Sequence, residues 1–300
     1  MKLYDQIYLG QDGNPLLQGT PDNFSKHFDW LVTFFNFSIP NIIKRKEVPD
    51  TIYIKTDFLP GFMNQVLPQI GGNQFVLVTG ASDFSPQVNF KREYNLLVND
   101  SRLKHWFMNN LRYPHKKCSS LPAGFAAGTF WNNNQIRNHE KTDNYFLEIR
   151  KNINKSKKID KVFCSFRIRD TNTCGQDMVI RPKIWDVVKQ DKENIFDIYE
   201  PDSLGFEEFI NTISKYKYAL IPHGNGMDPN PSMWIALNSY TTPVIWKTPN
   251  VTDMFKETDS VIFFEKPEDL FKKNLYINKE DINFDFLTCK YWANKIKSKI

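Results

Sequence analysis

Between Lys161 and Glu265 the chain alternates short apolar runs with stretches of helical pattern, and that rhythm restricts its folding more than any other feature. The runs are KVFCSF, IFDIYE, YALIPHG, TPVIWKT and SVIFFE; between them lie PKIWDVVKQ, LGFEEFINTISK, PSMWIALNS and VTDMFKE. Strands joined through helices pair in parallel, and a parallel sheet needs cover on both faces, which gives a doubly wound α/β unit. Ligands of such sheets sit beyond the carboxyl ends of the strands. The loops after Phe166, Glu200, Leu220 and Trp246 are therefore the places to look for chemistry.

Upstream the alternation is less regular. Thr51 to Leu59 reads as an alternating strand, Gly61 to Ile70 as a short helix, and Phe75 to Thr79 as a buried strand running into a Gly/Ser/Asp loop. DSRLKHWFMNNL reads as a helix capped by Asp100 or Ser101, and KCSSLPAGF as a strand ending in a turn. The segment to about residue 72 opens on a loop-rich start ahead of the strand at Thr51 to Leu59. A polar, Asn/Lys-rich stretch from about 128 to 160, around the helical YFLEIRKN, marks a boundary. A chain of 300 residues suits two α/β domains, set at 1–140 and 141–300, with the final helix free to pack back on the first.

Charge narrows the partners. A net +5 spread over 39 basic and 34 acidic residues has no long run of one sign, and clusters such as IKRKE and NKSKKIDK read as solvated loops, so no nucleic-acid partner is expected. A mild positive bias suits a small anionic ligand. The four cysteines, Cys118, Cys164, Cys174 and Cys289, lack metal-ligand spacing and read as free thiols of a reducing compartment. With no leader pattern at MKLYDQIYLG and no apolar run of about 18 residues, the expectation is a soluble cytoplasmic protein without a transmembrane segment. The sequons at Asn23, Asn99 and Asn250 are what an Asn-rich chain produces by chance.

The densest candidate loop follows the third strand of the second series, in IPHGNGMDPNPSMW. Gly224 and Gly226 permit positive φ and close backbone approach, Asn230 can cap a helix starting at Pro231, and Ser232 lies in its first turn. A helix N-terminus at a strand's carboxyl end favours an anion. His223, Asn225 and Asp228 share the loop. KVFCSF runs directly into RIRD, placing Arg167 and Arg169 at the carboxyl end of the same sheet, where guanidiniums can bind phosphate bidentately.

SLPAGF, KVFCSFRIRD and above all SKYKYALIPHGNGMDPNPSMWIALNSYTTPVIWKTPNVTDMF resemble the exostosin-like glycosyltransferases and related GT-B enzymes. The similarity lies at Ser214, Lys215, Pro222, Gly224, Asn225, Gly226, Asp228, Trp234, Ala236, Leu237 and Pro243, over about 90 residues. NPSM replaces the family's basic residue before the tryptophan, and Ile235 stands at its acidic position. The resemblance implies two Rossmann-like domains facing across a cleft, the C-terminal one holding a nucleotide sugar and the N-terminal one a glycan or glycoconjugate acceptor.

No Asp-x-Asp occurs in the chain, which favours a mechanism without a metal cofactor, the arginines and a helix end taking the cation's place. An inverting transfer needs a general base, which the resemblance puts in the N-terminal domain; Asp83, after the strand Phe75 to Thr79, is the first candidate. His105 and His115 are weaker ones. His223 is a candidate contact for the diphosphate or sugar, Glu200 for the nucleotide, and Trp131, Trp234 and Trp246 for stacking. The leading function is sugar transfer from a nucleotide sugar to an acceptor hydroxyl. A catalytically silent GT-B scaffold is the alternative, and a dinucleotide or S-adenosylmethionine site at VLVTGASD, which lacks the full glycine pattern, ranks below both.

Overall fold

The computed structural model describes residues 24–35, 38–124, 146, 148–201, 203–277, 279 and 282–300. They form two α/β units, each built on its own sheet. The first sheet has the order β2-β1-β3-β4-β5-β6, with β1 Trp30–Phe35, β2 Ile39–Lys44, β3 Thr51–Lys55, β4 Phe75–Gly80, β5 Leu103–Met108 and β6 Cys118–Ser120. All its pairings are parallel except β1 with the edge strand β2. Edge position explains why β2 tolerates Pro40 and exposed Ile39 and Ile43.

The second sheet is wholly parallel, in the order β11-β10-β9-β7-β8, from β7 Ile159–Cys164, β8 Phe196–Ile198, β9 Tyr216–Leu220, β10 Thr242–Trp246 and β11 Ile262–Phe264. Counted within the unit, this is 2-1-3-4-5, whose topological switch point falls between β7 and β9. Its crossover helices include α2 Arg181–Val188, α3 Phe206–Ile213, α4 Ser232–Asn238 and α5 Pro249–Met254. In the first unit α1, Lys91–Asn99, precedes β5. The last helix, α6 Cys289–Lys297, lies against the turn Phe24–His27.

The five strands expected in the second half are all present, and the structure corrects two readings in the first. DSRLKHWFMNNL is not a helix: Leu103–Met108 is β5, because five of its six side chains are buried, a demand that a strand covered on both faces meets and a surface helix does not. Asp100 instead bonds the Arg102 amide and guanidinium in the preceding turn. Of the start that reads as loop-rich, the described residues hold β1 and β2, and residues 1–23 lie outside the described residues. Gly61 to Ile70 is helical, as expected, in turns whose winding changes at Leu67, beside Pro68.

One apolar cluster spans both units, with Val76, Val78 and Phe107 of the first, Phe163, Ala219, Trp234 and Ile245 of the second, and Trp292 of α6 among its members. Polar struts tie the same seam: Asn250 Oδ1 accepts from Leu111 N at 2.9 Å and its Nδ2 donates to Met227 O at 3.3 Å. Asn250 is fully buried, so its sequon is no acceptor for a glycan. All four cysteines are free and buried. Among the described residues, no helix is long and apolar enough to cross a membrane.

Candidate functional site

A cavity of about 550 Å³ opens where the carboxyl ends of the two sheets meet. The first unit lines it with Lys55 at the end of β3 and Asp57 just beyond, Ala81 to Phe84 after β4, Asn110 after β5 and Ala123 after β6. The second unit contributes Arg169 and Thr173 after β7, Arg181 of α2, and Gly224 to Gly226 and Asp228 to Pro231 after β9. These second-unit loops flank the switch point between β7 and β9. Two other cavities, of about 600 and 630 Å³, lie elsewhere, and the larger is bordered by Lys158, whose Nζ is already spent on the carbonyls of Ser214, Tyr216 and Ser239.

Arg181 is the feature sequence reasoning missed. Its side chain is buried, donating from Nε to His223 O at 2.8 Å, from Nη1 to Arg167 O at 2.9 Å and from Nη2 to Pro222 O at 3.4 Å. A guanidinium has five N–H groups, so two remain for the cavity. No carboxylate among the described residues pairs with it. Burial, with the Arg169 charge adding to it, lowers its pKa to about 10, so it stays protonated at neutral pH. A signal was available: Arg181 opens a helix, where a cation opposes the helix dipole and needs another reason to be there.

Arg169, on the exposed loop after β7, donates from Nη1 to Asn225 Oδ1. Asn225 Nδ2 donates to Asp83 Oδ2 at 3.1 Å, so the loop after β9 reaches across the cleft to the loop after β4. Thr173 Oγ1 sits 2.7 Å from Asp83 O and 2.9 Å from Asn225 O, holding the two backbones together. Ala81, beside Asp83, has φ of 55°, a conformation that costs energy without glycine and recurs at functional loops.

The glycines play roles other than those expected. Neither Gly224 nor Gly226 has positive φ. Gly224 faces open space on the cavity, whereas a Cβ on Gly226 would stand 2.8 Å from both Asn110 Cγ and Asp83 O. Gly226 therefore lets the two units touch. Asn110, at φ 58°, completes the joint: Nδ2 donates to Ser82 O at 2.9 Å and Phe84 O at 3.2 Å, while Oδ1 accepts from Met227 N at 2.7 Å and Asp228 N at 2.9 Å.

Asp228 Oδ2 accepts from Ala123 N at 3.1 Å, and its Oδ1 is sealed from solvent without a hydrogen-bond partner. Burial drives its carboxyl pKa well above the ordinary value, with the Asp83 charge adding to the shift. His223 is buried behind the cavity with its ring 5.4 Å from that of Trp246, and its Nε2 has no partner. Burial pushes its pKa down to about 4, so the ring is neutral near pH 7. Facing these groups, Lys55 Nζ lies 3.6 Å from Asp57 Oδ1.

Of the residues singled out from sequence, Asp83, Arg169, Gly224, Asn225, Gly226 and Asp228 line one cavity, and Arg167, Glu200, His223 and Ser232 do not. Arg167 is exposed and gives the site its carbonyl rather than a lining guanidinium. Glu200 is exposed and starts a turn, its carbonyl accepting from Ser203 N and Oγ. Asn230 Oδ1 accepts from Ser232 N at 2.9 Å, but α4 begins at Ser232 rather than Pro231, and its N-cap position, Pro231, makes no side-chain cap. His105 is buried in β5 against Ser119 at 2.9 Å, and His115 bonds Lys117 N. Trp234 is core, stacked on Phe286, and Trp131 lies outside the described residues. Ile235 is also core, so a carboxylate there would be buried among apolar side chains. Among the described residues, no group of three or more His, Cys, Asp or Glu side chains is placed to hold a metal ion.

No protein-family model matches the chain, and no curated protein matches it by sequence. Among solved structures it is similar to a crystal structure of an alpha1,3-fucosyltransferase, at 15% identity and a TM-score of 0.39, over 85% of this chain and 78% of that one. The cavity's own chemistry has to carry the function.

Proposed function

We propose that this chain is a glycosyltransferase that moves a sugar from a nucleotide sugar to an acceptor hydroxyl, with inversion and without a metal ion. The observation that carries the reading is Arg181, a buried guanidinium with two uncommitted N–H groups, no carboxylate partner and a second guanidinium, Arg169, close enough to raise its cost of charging. An unpaired buried cation is expensive, and a diphosphate would relieve both its isolation and the repulsion. The location, at the switch point of a doubly wound sheet, is where such ligands bind.

Across the cavity Asp83 supplies the opposite chemistry. In the proposed step it takes the proton of the acceptor hydroxyl as the acceptor oxygen bonds to the anomeric carbon. The bond from that carbon to the nucleoside diphosphate breaks, its electron pair leaving on the diphosphate oxygen, and Arg169 and Arg181 take up the developing charge. Lys55 and Asp57, on Asp83's side, are placed for acceptor hydroxyls. The motif similarity to exostosin-like enzymes supports the same assignment, with the nucleotide on the second unit. Ile235 gives no support to a silent scaffold, because in this fold its position faces the core.

A thermal-shift screen against UDP, GDP and their sugars, with and without EDTA, tests the proposal. A ligand at 100 times its Kd stabilises the native state by about 2.7 kcal/mol, a visible rise in melting temperature. The expected result is a shift with one nucleotide family, unchanged by EDTA, followed by transfer to a sugar acceptor. Binding without turnover would identify a silent scaffold, and no shift with any nucleotide would overturn the reading.

A further inference from the structure

The side-chain amide of Asn225 is committed at both ends. Its oxygen accepts from Arg169 and its nitrogen donates to Asp83 Oδ2, so one neutral group links the cation facing the diphosphate to the carboxylate facing the acceptor. The backbone beneath it is pinned as well, with Asn225 O accepting from Thr173 N at 2.8 Å. These bonds fix the orientation of the Asn225 amide, which keeps one further N–H and one further lone pair. Each of its partners is also needed elsewhere: Arg169 by an incoming diphosphate and Asp83 by a hydroxyl proton.

We propose that Asn225 is a positioning residue that makes the availability of Asp83 depend on the arrival of the donor diphosphate, an inference that rests on the glycosyltransferase reading. While Arg169 faces no anion, it polarises the amide, and the polarised N–H holds Asp83. A phosphate oxygen is a stronger partner for a guanidinium than a neutral amide oxygen. Once the diphosphate takes Arg169, the amide loses its polarising partner, its hold on Asp83 weakens, and the carboxylate turns to the acceptor. The donor binds first and the acceptor second, and the base is held until a donor is present.

The test is the affinity of the full chain for UDP and GDP, measured by titration on wild type, Asn225→Ala and Asn225→Asp. With the amide gone, Arg169 no longer has to exchange partners, so Asn225→Ala binds the preferred nucleotide about five-fold more tightly, the equivalent of one ordinary hydrogen bond. Asn225→Asp keeps and strengthens the grip on Arg169 and binds it more weakly. A residue that merely shaped the loop would weaken binding in both variants. Asn225→Ser, too short to span both partners, repeats the first measurement if the alanine variant melts early. Unchanged or weaker binding by the alanine and serine variants, with wild type still binding, overturns the latch alone. No binding by wild type overturns the parent reading and the latch with it.

Discussion

The amide of Asn110 occupies the space that a side chain at Gly226 would need. Its Cγ lies 2.8 Å from the position of a Cβ there, and the carbonyl oxygen of Asp83 lies equally close. The two units thus meet at a contact that only glycine permits. Asn110 can then use both of its polar atoms across the seam, on Ser82 and Phe84 in one unit and on Met227 and Asp228 in the other.

Gly226→Ala should therefore push the units apart rather than alter a surface loop. Overpacking of this kind costs about 1–3 kcal/mol, and the backbone on one side cannot yield. The expected outcome is a lower urea midpoint. Gly224→Ala, with open space around it, should leave the unfolding free energy from the same titration within about 0.5 kcal/mol of wild type.

Arg181 and Arg167 should separate in a binding assay. Arg181→Ala removes a cavity-lining guanidinium and should weaken nucleoside diphosphate binding at least about ten-fold, the scale of hydrogen bonds to a charged group. Arg167→Ala should change it little, since that side chain is not among the cavity lining. Titration calorimetry with the nucleotide found by the thermal screen decides between them.

The contrast between the two arginines also shows how far the sequence could be read. The five strands of the second unit were legible because each is a short apolar run between helical patterns, and the parallel rule then placed the site at their carboxyl ends. Arg169 and Asn225 were singled out that way, and Asp83 from the loop after Phe75 to Thr79 together with the family resemblance. Arg181 was not, because nothing local tells a helix-opening arginine on the surface from one buried against the carbonyls of Pro222 and His223, some forty residues away. β5 was misread because His105, Trp106 and Phe107 lie inside a sheet covered on both sides, where helical and strand patterns look alike. Gly226 was recognised as special for the wrong reason, since its constraint comes from Asn110, more than a hundred residues earlier.

Asp228 and His223 should give the protein opposite pH dependences. A carboxyl whose folded pKa is raised contributes stability that is full below its unfolded pKa, about 3.9, and is lost as pH rises toward the folded value. Asp228→Asn cannot ionise, keeps an oxygen for Ala123 N, and should be more stable than wild type at pH 8, with the advantage shrinking toward pH 4. The depressed pKa of His223 has the reverse sign: its stability is present above the unfolded pKa of about 6.5 and lost as pH falls toward about 4. Urea midpoints of wild type, Asp228→Asn and His223→Gln between pH 4 and 8 check both signs, the histidine variant losing part of the acid-side slope.

Asp83 is the residue on which the chemistry stands or falls. Asp83→Asn keeps the size of the side chain and an oxygen for Asn225 Nδ2, and leaves the backbone carbonyl that Thr173 holds. Donor binding should survive, while the acceptor proton has no base to go to, a loss of about 10²–10⁴-fold in turnover. Asp57→Asn, on the same side of the cavity but already paired with Lys55, should instead raise the acceptor KM and leave the maximal rate within about ten-fold, since it would remove a binding contact rather than the base. Steady-state transfer kinetics at saturating donor separate the two roles, and a near-normal rate in Asp83→Asn with a collapsed rate in Asp57→Asn would move the base from the loop after β4 to the turn after β3.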